Sequence, residues 1–290
     1  MDLSREFIKA KRPCTDGFRW FLRNHQDGGD YQPLLDALVM DGRVSDACWL
    51  LDQFGPTDAV LRLDTLGAEA IVFAGTIEVR GNIEVDTVLR AGRSIIAGGG
   101  IRSGDAIVAG EDLRAGGNIR CAGTLDVCGD IRAGWGMELE GPLNCQGDLH
   151  VEWDVYGKGA MKFGGHAHIG QDLHAGAAVY CNKSLSVGGG IHCCENLRAG
   201  NGILSGAAIC CAGHLEAGWG IKARGDIIAQ GAIKAGESLQ TEGEIRAGIG
   251  YGIYAGLIVQ LEAWEASARV CARARPERLM SGWWSTTSSC

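Results

Sequence analysis

A mainly β fold, a triangular β-helix (β-solenoid) of six-residue repeats, is the class that this sequence predicts, and three observations predict it. First, every sixth residue from Ile71 to Leu257 is a large aliphatic or Met, with Ala167 and Tyr251 as the departures. A six-residue period suits neither an α-helix nor a sheet of ordinary hairpins. Second, a small residue follows two places after most of these aliphatics, and then glycine. Leu113-Arg114-Ala115-Gly116-Gly117-Asn118 and Ile131-Arg132-Ala133-Gly134-Trp135-Gly136 show the hexad plainly. Third, the chain holds 46 glycines and only 5 prolines, which suits a backbone that turns sharply and often and excludes collagen.

The aliphatic and the small residue two places on share one strand face and point inward, while the residue between them points to solvent. Three hexads make a coil of about 18 residues, giving roughly ten to eleven coils and a rod of ~50 Å at ~4.8 Å per coil. Glycine is expected at the corners for the dihedrals that a Cβ resists. No insertion breaks the phase up to Leu257. Each buried aliphatic contributes about 1.5–3 kcal/mol.

The flanks read differently, which divides the chain into residues 1–57, 58–260 and 261–290. The first segment is an α-helical N-terminal domain or cap. Its helical runs are 17–25, with Phe18, Phe21 and Leu22 on one face; 31–40, with Leu34, Leu35, Leu38 and Val39; and 44–54, ending at Gly55-Pro56. The last segment leaves the register. Trp264, the arginine-rich stretch 269–278 and Trp283-Trp284 do not continue the ladder, so it reads as a C-terminal cap over open strand edges, with a frayed tail at 285–290.

Composition narrows the function. The net charge of −8 is spread along the chain, without the basic excess of a phosphate-backbone binder, so no nucleic-acid partner is expected. No apolar stretch could span a bilayer and none resembles a signal segment, so a cytoplasmic location without membrane contact is expected. Among the 12 cysteines, Cys121, Cys145, Cys181, Cys193 and Cys211 each lie two residues after a ladder aliphatic. They read as small buried hydrophobes in a reducing compartment, with no disulfide network.

The frame Gly-x-Ile-x-Ala/Val, as in Gly81-Asn82-Ile83-Glu84-Val85 and Gly225-Asp226-Ile227-Ile228-Ala229, resembles bactofilins, the polymer-forming bacterial cytoskeletal proteins. The resemblance covers about 200 residues and implies a bacterial, right-handed triangular β-helix. Left-handed hexapeptide acyltransferases place the small residue before the aliphatic and match less well. Bactofilins polymerise through uncapped ends, whereas the helical head and cap-like tail here are expected to block both ends.

Outward positions 18 apart should stack on neighbouring coils. One face then presents Arg114, Arg132, His150 and His168, and the next Arg102, Arg120, Glu138, Tyr156, His174 and His192. Trp135 and Trp153, also 18 apart, should stack at one corner, with Trp219 on another edge. Trp135, Trp153, Arg114, Arg132, His150 and His168 form the candidate protein-binding set, because Trp and Arg dominate interface hot spots. No phosphate loop, zinc motif or nucleophile–base set can be picked out, so no catalytic, metal or cofactor residues are assigned and no enzyme activity is expected. The reading is a non-enzymatic protein-binding scaffold, an immunity (antitoxin-like) protein that neutralises a cognate, basic bacterial toxin. The alternatives are a bactofilin-like structural polymer and, third, an acidic nucleic-acid mimic.

Overall fold

The computed structural model describes residues 2–3, 5–25 and 29–286. Its body is a parallel β-solenoid of about 12 turns, with ~18 residues per turn and sheets of 11, 12 and 13 strands. The first face starts at Val60–Leu63, the second at Leu66–Ala68 and the third at Ile71–Phe73, and each turn visits them in that order. Ladder residues pair directly with those one turn away. Ile95, Leu113, Ile131 and Leu149 form one such file on the first face.

Most strands are three residues long and alternate buried, outward, buried, as in Ile119–Cys121 and Ile131–Ala133. The inward residues form one continuous core from Phe73 to Ala272. Ala167, the small ladder residue, is buried there as well. Phe163, in the strand just before it, is a bulky occupant of a position most often held by Ala, Val or Cys, so it offsets the lost volume.

The corners depend on contacts that the hexad pattern does not spell out. Corner glycines such as Gly116 do not have the left-handed φ expected of them. Positive φ is confined to Gly42, Gly55, Gly250, Gly256 and Gly282 among the described glycines. Close approach is the cause instead, since a Cβ on Gly116 would sit 2.1 Å from the Gly98 carbonyl oxygen one turn back. An Asp or Asn before a strand accepts the backbone N–H one turn ahead. Asp112 accepts from Asp130 (3.0 Å), Asp130 from Asp148 (2.9 Å), Asp148 from His166 (2.7 Å) and Asn118 from Gly136 (3.0 Å).

Inward Cys and Ser at strand ends lie within hydrogen-bond reach of two corner carbonyls, which share the single S–H or O–H. Cys181 Sγ donates toward Gly165 O (3.3 Å) and Ser184 O (3.4 Å), and Ser205 Oγ toward Gly189 O (2.8 Å) and Ala208 O (3.3 Å). Burial pushes the Cys121, Cys145 and Cys181 thiols up, Cys145 to about 12. The five inward cysteines are free and buried, and Cys14, Cys48, Cys128, Cys194 and Cys210 are free as well. Cys271 departs from the all-thiol expectation, because it is disulfide-bonded.

The register changes at both ends. At the start, Leu61 pairs with Ile77 and Leu66 with Ile83, so shorter corners let the stack begin before Ile71. At the other end the six-residue phase stops at Ile245, not Leu257. Ile253 stacks on Ile233, while Tyr251 and Leu257 are exposed. The corner is longer here, turning through Gly250 at φ +86°. The expectation that the C-terminal segment leaves the ladder is also corrected. After an excursion through the short helix α5 (Trp264–Ser267), Val270 stacks on Leu239, Leu279 on Ile253 and Trp284 on Val270. These strands, with the early ones, account for turns beyond the ten or eleven expected. The indoles then tie the segment down, Trp283 Nε1 donating to Glu265 O (2.6 Å) and Trp284 Nε1 to Ala272 O (3.3 Å). Of the tail expected to fray, 285–290, Ser285 ends the strand Trp283–Ser285, and residues 287–290 lie outside the described residues.

Four helices precede the solenoid: α1 (Arg5–Ala10), α2 (Thr15–Asn24), α3 (Tyr31–Met40) and α4 (Val44–Phe54). Their shared core of Trp20, Phe21, Leu34, Leu35, Leu38, Leu50 and Leu51 includes Val72 and Ala74 from the first turn. Gln32 of α3 seals the outer edge of the first strand on the third face. Its Nε2 donates to Val72 O (3.1 Å), and its Oε1 accepts from Ala74 N (2.8 Å). Blocking of the N-terminal end is thus partial. Among the described residues the strands Val60–Leu63 and Leu66–Ala68 pair on one side only, beside the Arg80–Asp64 ion pair, and charge is a common guard on such edges. No helix among the described residues is long and apolar enough to cross a membrane.

Ile131→Asp buries an unpaired charge in the continuous core and should abolish cooperative melting, whereas Arg120→Ala, on an exposed ion pair, should shift stability by less than about 0.5–1 kcal/mol. Equal losses would refute the inward and outward assignment. Buried thiols also set an alkaline limit. With Cys145 raised from 9.0 to about 12, its contribution is whole below pH 9.0 and declines as pH rises toward 12, because the unfolded thiol ionises first. Urea midpoints should fall across that window, less steeply in Cys145→Ser.

Candidate protein-binding surface

The first face brings four of the six candidate residues into one file. Arg114 lies beside Arg132, Arg132 beside His150 and His150 beside His168, each pair being direct neighbours on adjacent parallel strands. The three-residue strand dictates this, since only its middle residue faces outward. The His150 and His168 rings stack at 5.1 Å with planes 17° apart. Arg114 bonds Asp112 at 2.8 Å and His150 meets Glu152 at 2.9 Å. Arg132 is exposed and has no side-chain partner among the described residues.

Trp135 and Trp153 lie on the corner between the first and second faces, on successive turns, and are 62% and 59% exposed. Their backbones take part in the corner stack, with Trp135 N donating to Gly117 O and Trp153 O accepting from Gln171 N. The expected stacking of the indoles is absent, for no ring contact joins them among the described residues. Both nonetheless border the Arg132–His150 stretch. Trp219 lies at the corner between the third and first faces, 50% exposed.

Below His168 the same face opens into a groove of 610 Å³, with Ser186, Leu204, Lys222 and Gln240 along its floor and Arg224 on its rim. The hexad pattern does not announce this groove. The available signal was the change of outward residue from Arg and His to Ser186, whose small side chain leaves space. A second cavity, of 400 Å³, lies inside the helical head among Ile8, Trp20, Phe21 and Leu50.

The second face carries another ring file, as its spacing suggests. Tyr156 and His174 stack at 4.7 Å and 3°, and His174 and His192 at 5.0 Å and 6°, beside the Arg120–Glu138 pair (2.9 Å). Asp154 pushes the Tyr156 phenol up. Cys210 is the next outward residue of the file, yet no group of three or more His, Cys, Asp or Glu among the described residues could hold a metal ion.

Charge is sorted between faces and corners. The first face carries Arg62, Arg114, Arg132 and Lys222 outward against Glu78, whereas Asp112, Asp130, Asp148, Asp154, Asp172 and Asp226 sit at corners accepting backbone N–H groups. The net charge of −8 thus describes the corners more than the faces.

Residues 1–54 match the family model of the YdhT N-terminal domain. No curated protein and no solved structure matches the chain. With the β-solenoid, this likeness suggests a protein-interaction scaffold.

Because both indoles are largely solvated, Trp135→Ala/Trp153→Ala should keep the circular dichroism of the wild type and melt within a few degrees of it. A large drop in melting temperature would show that the tryptophans are structural.

Proposed function

We propose that the protein is a non-enzymatic, cytoplasmic bacterial binding scaffold whose partner protein docks along the first face and its tryptophan edge. The observation that carries this reading is the file Arg114–Arg132–His150–His168 beside two exposed tryptophans on an uninterrupted parallel sheet. Cations and large aromatics beside one another are the residue types that dominate interface energetics. A rod hydrogen-bonded turn by turn also holds them in place before the partner arrives, which lowers the entropic cost of binding.

The finer reading is that the partner is a cognate bacterial toxin and the protein its immunity factor. A preorganised, protein-sized surface supports it, because a dedicated inhibitor depends on slow dissociation from a rigid contact. The surface charge alters one part of the earlier expectation: the docking face is cationic, so the complementary surface is acidic. A bactofilin-like polymer is the second reading, favoured by the two N-terminal strand edges that the head leaves uncovered. The cationic faces count against an acidic nucleic-acid mimic.

The test is capture of the partner from the native host by tagged full-length protein. Trp135→Ala/Trp153→Ala should lose the partner while keeping its fold, with a cost of about 2 kcal/mol or more. An unchanged partner profile would remove this face as the site. Filaments of purified protein in electron micrographs would favour the polymer.

A further inference from the structure

We propose that the groove below the tryptophan edge binds an extended, acidic polypeptide segment of the partner. The proposal rests on the reading of the first face as the docking surface and specifies what enters it.

Three observations point to this occupant. The first is uncompensated charge. Lys222 and Arg224 border the groove and Arg132 lies above it on the same face, all exposed and none with a side-chain ion-pair partner among the described residues. Glu242, one turn on from Arg224, is the acid among the lining residues, which leaves the groove with an excess of cations. The acids of the neighbouring corner, such as Asp154, Asp172 and Asp226, are engaged with backbone N–H groups. At physiological ionic strength charges are screened over ~8 Å, so a bound segment responds to these local cations more than to the summed charge of the rod.

The second observation is the mixed floor. Leu204, 45% exposed, lies between Ser186 and Lys222, giving an apolar contact flanked by hydroxyl and amide hydrogen-bonding groups. That combination suits a peptide, which brings amides and side chains together. A phosphate polymer would instead favour cations interleaved with several aromatic platforms, whereas His168, at the upper end, is the single ring among the lining residues. The third is length. From His168 to Gln240 the floor crosses four turns, ~19 Å at ~4.8 Å each, which an extended chain covers in about six residues at ~3.3 Å apiece. The groove lies on the outward side of the sheet, so its contacts are made by side chains; strand edges are not involved.

The experiment uses the full-length protein and fluorescence anisotropy. The probes are a fluorescein-labelled peptide of alternating Glu and Ser with one central Leu, and the same peptide with Lys for Glu. The acidic probe should bind, with an affinity that falls as salt rises, and the Lys probe should not. Lys222→Glu/Arg224→Glu should weaken the acidic probe by at least about tenfold while circular dichroism stays unchanged, since both residues face outward. Leu204→Ser should weaken it several-fold. Equal binding of both peptides, or an undiminished affinity in the charge-reversed variant, overturns the proposal. So does a heparin fragment or an oligonucleotide that binds more tightly than the peptide, for the groove would then be a general polyanion site. Partner capture separates this inference from the reading beneath it. If Trp135→Ala/Trp153→Ala loses the partner and Lys222→Glu/Arg224→Glu keeps it fully, the surface stands and the acidic segment falls. If the tryptophan variant keeps the partner, the surface itself is wrong, whatever the peptides do.

Discussion

The hydrogen bond between one turn and the next is the constraint on which the rest of this structure depends. Each strand is so short that alone it holds almost nothing; its stability comes from pairing with the strands one turn before and after it. That pairing fixes the register, and the register fixes which residue of each triplet faces the core. Where the backbone crowds, as at Gly116 under the Gly98 carbonyl, a side chain is excluded. Where a corner amide would be left over, Asp112, Asp130 and Asp148 supply an acceptor. Core, corner and surface are three consequences of one spacing.

The sequence makes that spacing legible because it repeats over many turns without correction. Inward Ile131 and outward Arg132 can be assigned from phase alone, and so can the file of Arg114, Arg132, His150 and His168, since stacking follows directly from the period. Legibility ends where the period changes. The corner before Ile253 and the excursion through α5 carry extra residues, so Val270 and Leu279 return to the core out of phase and look like a cap. The role of Asp130 was hidden as well, because a corner acid reads as a solvated charge until its partner one turn ahead is known. Glycine was located correctly for a reason that does not hold: the corners need closeness, whereas left-handed φ is needed at the irregular turns such as Gly250. The stacking of Trp135 on Trp153 failed because equal spacing fixes the backbones and leaves the side-chain torsions free.

The candidate surface shows how a summed charge misleads for an elongated molecule. A count over the chain treats Asp130 and Arg132 as cancelling. In three dimensions one lies in a corner, bonded to backbone, and the other stands free in the middle of a face. Charges more than about 8 Å apart are largely screened from one another, so an approaching partner meets the local balance of a face and its bordering corners, not the sum over the chain. The helical domain at 1–54, the part with a recognisable family likeness, sits against the third face and leaves the cationic first face clear.

The bond from Gln32 to the edge of the first turn also fixes geometry over a long distance. A primary amide occupies the place of one more strand on the third face, and it does so in register, with donor and acceptor each matched to a backbone group. The helical head therefore cannot swivel without giving up both bonds and the contact at Val72. It is mounted on the rod at a set bearing. The head and the tryptophan edge are thereby kept a constant distance apart by the fold itself.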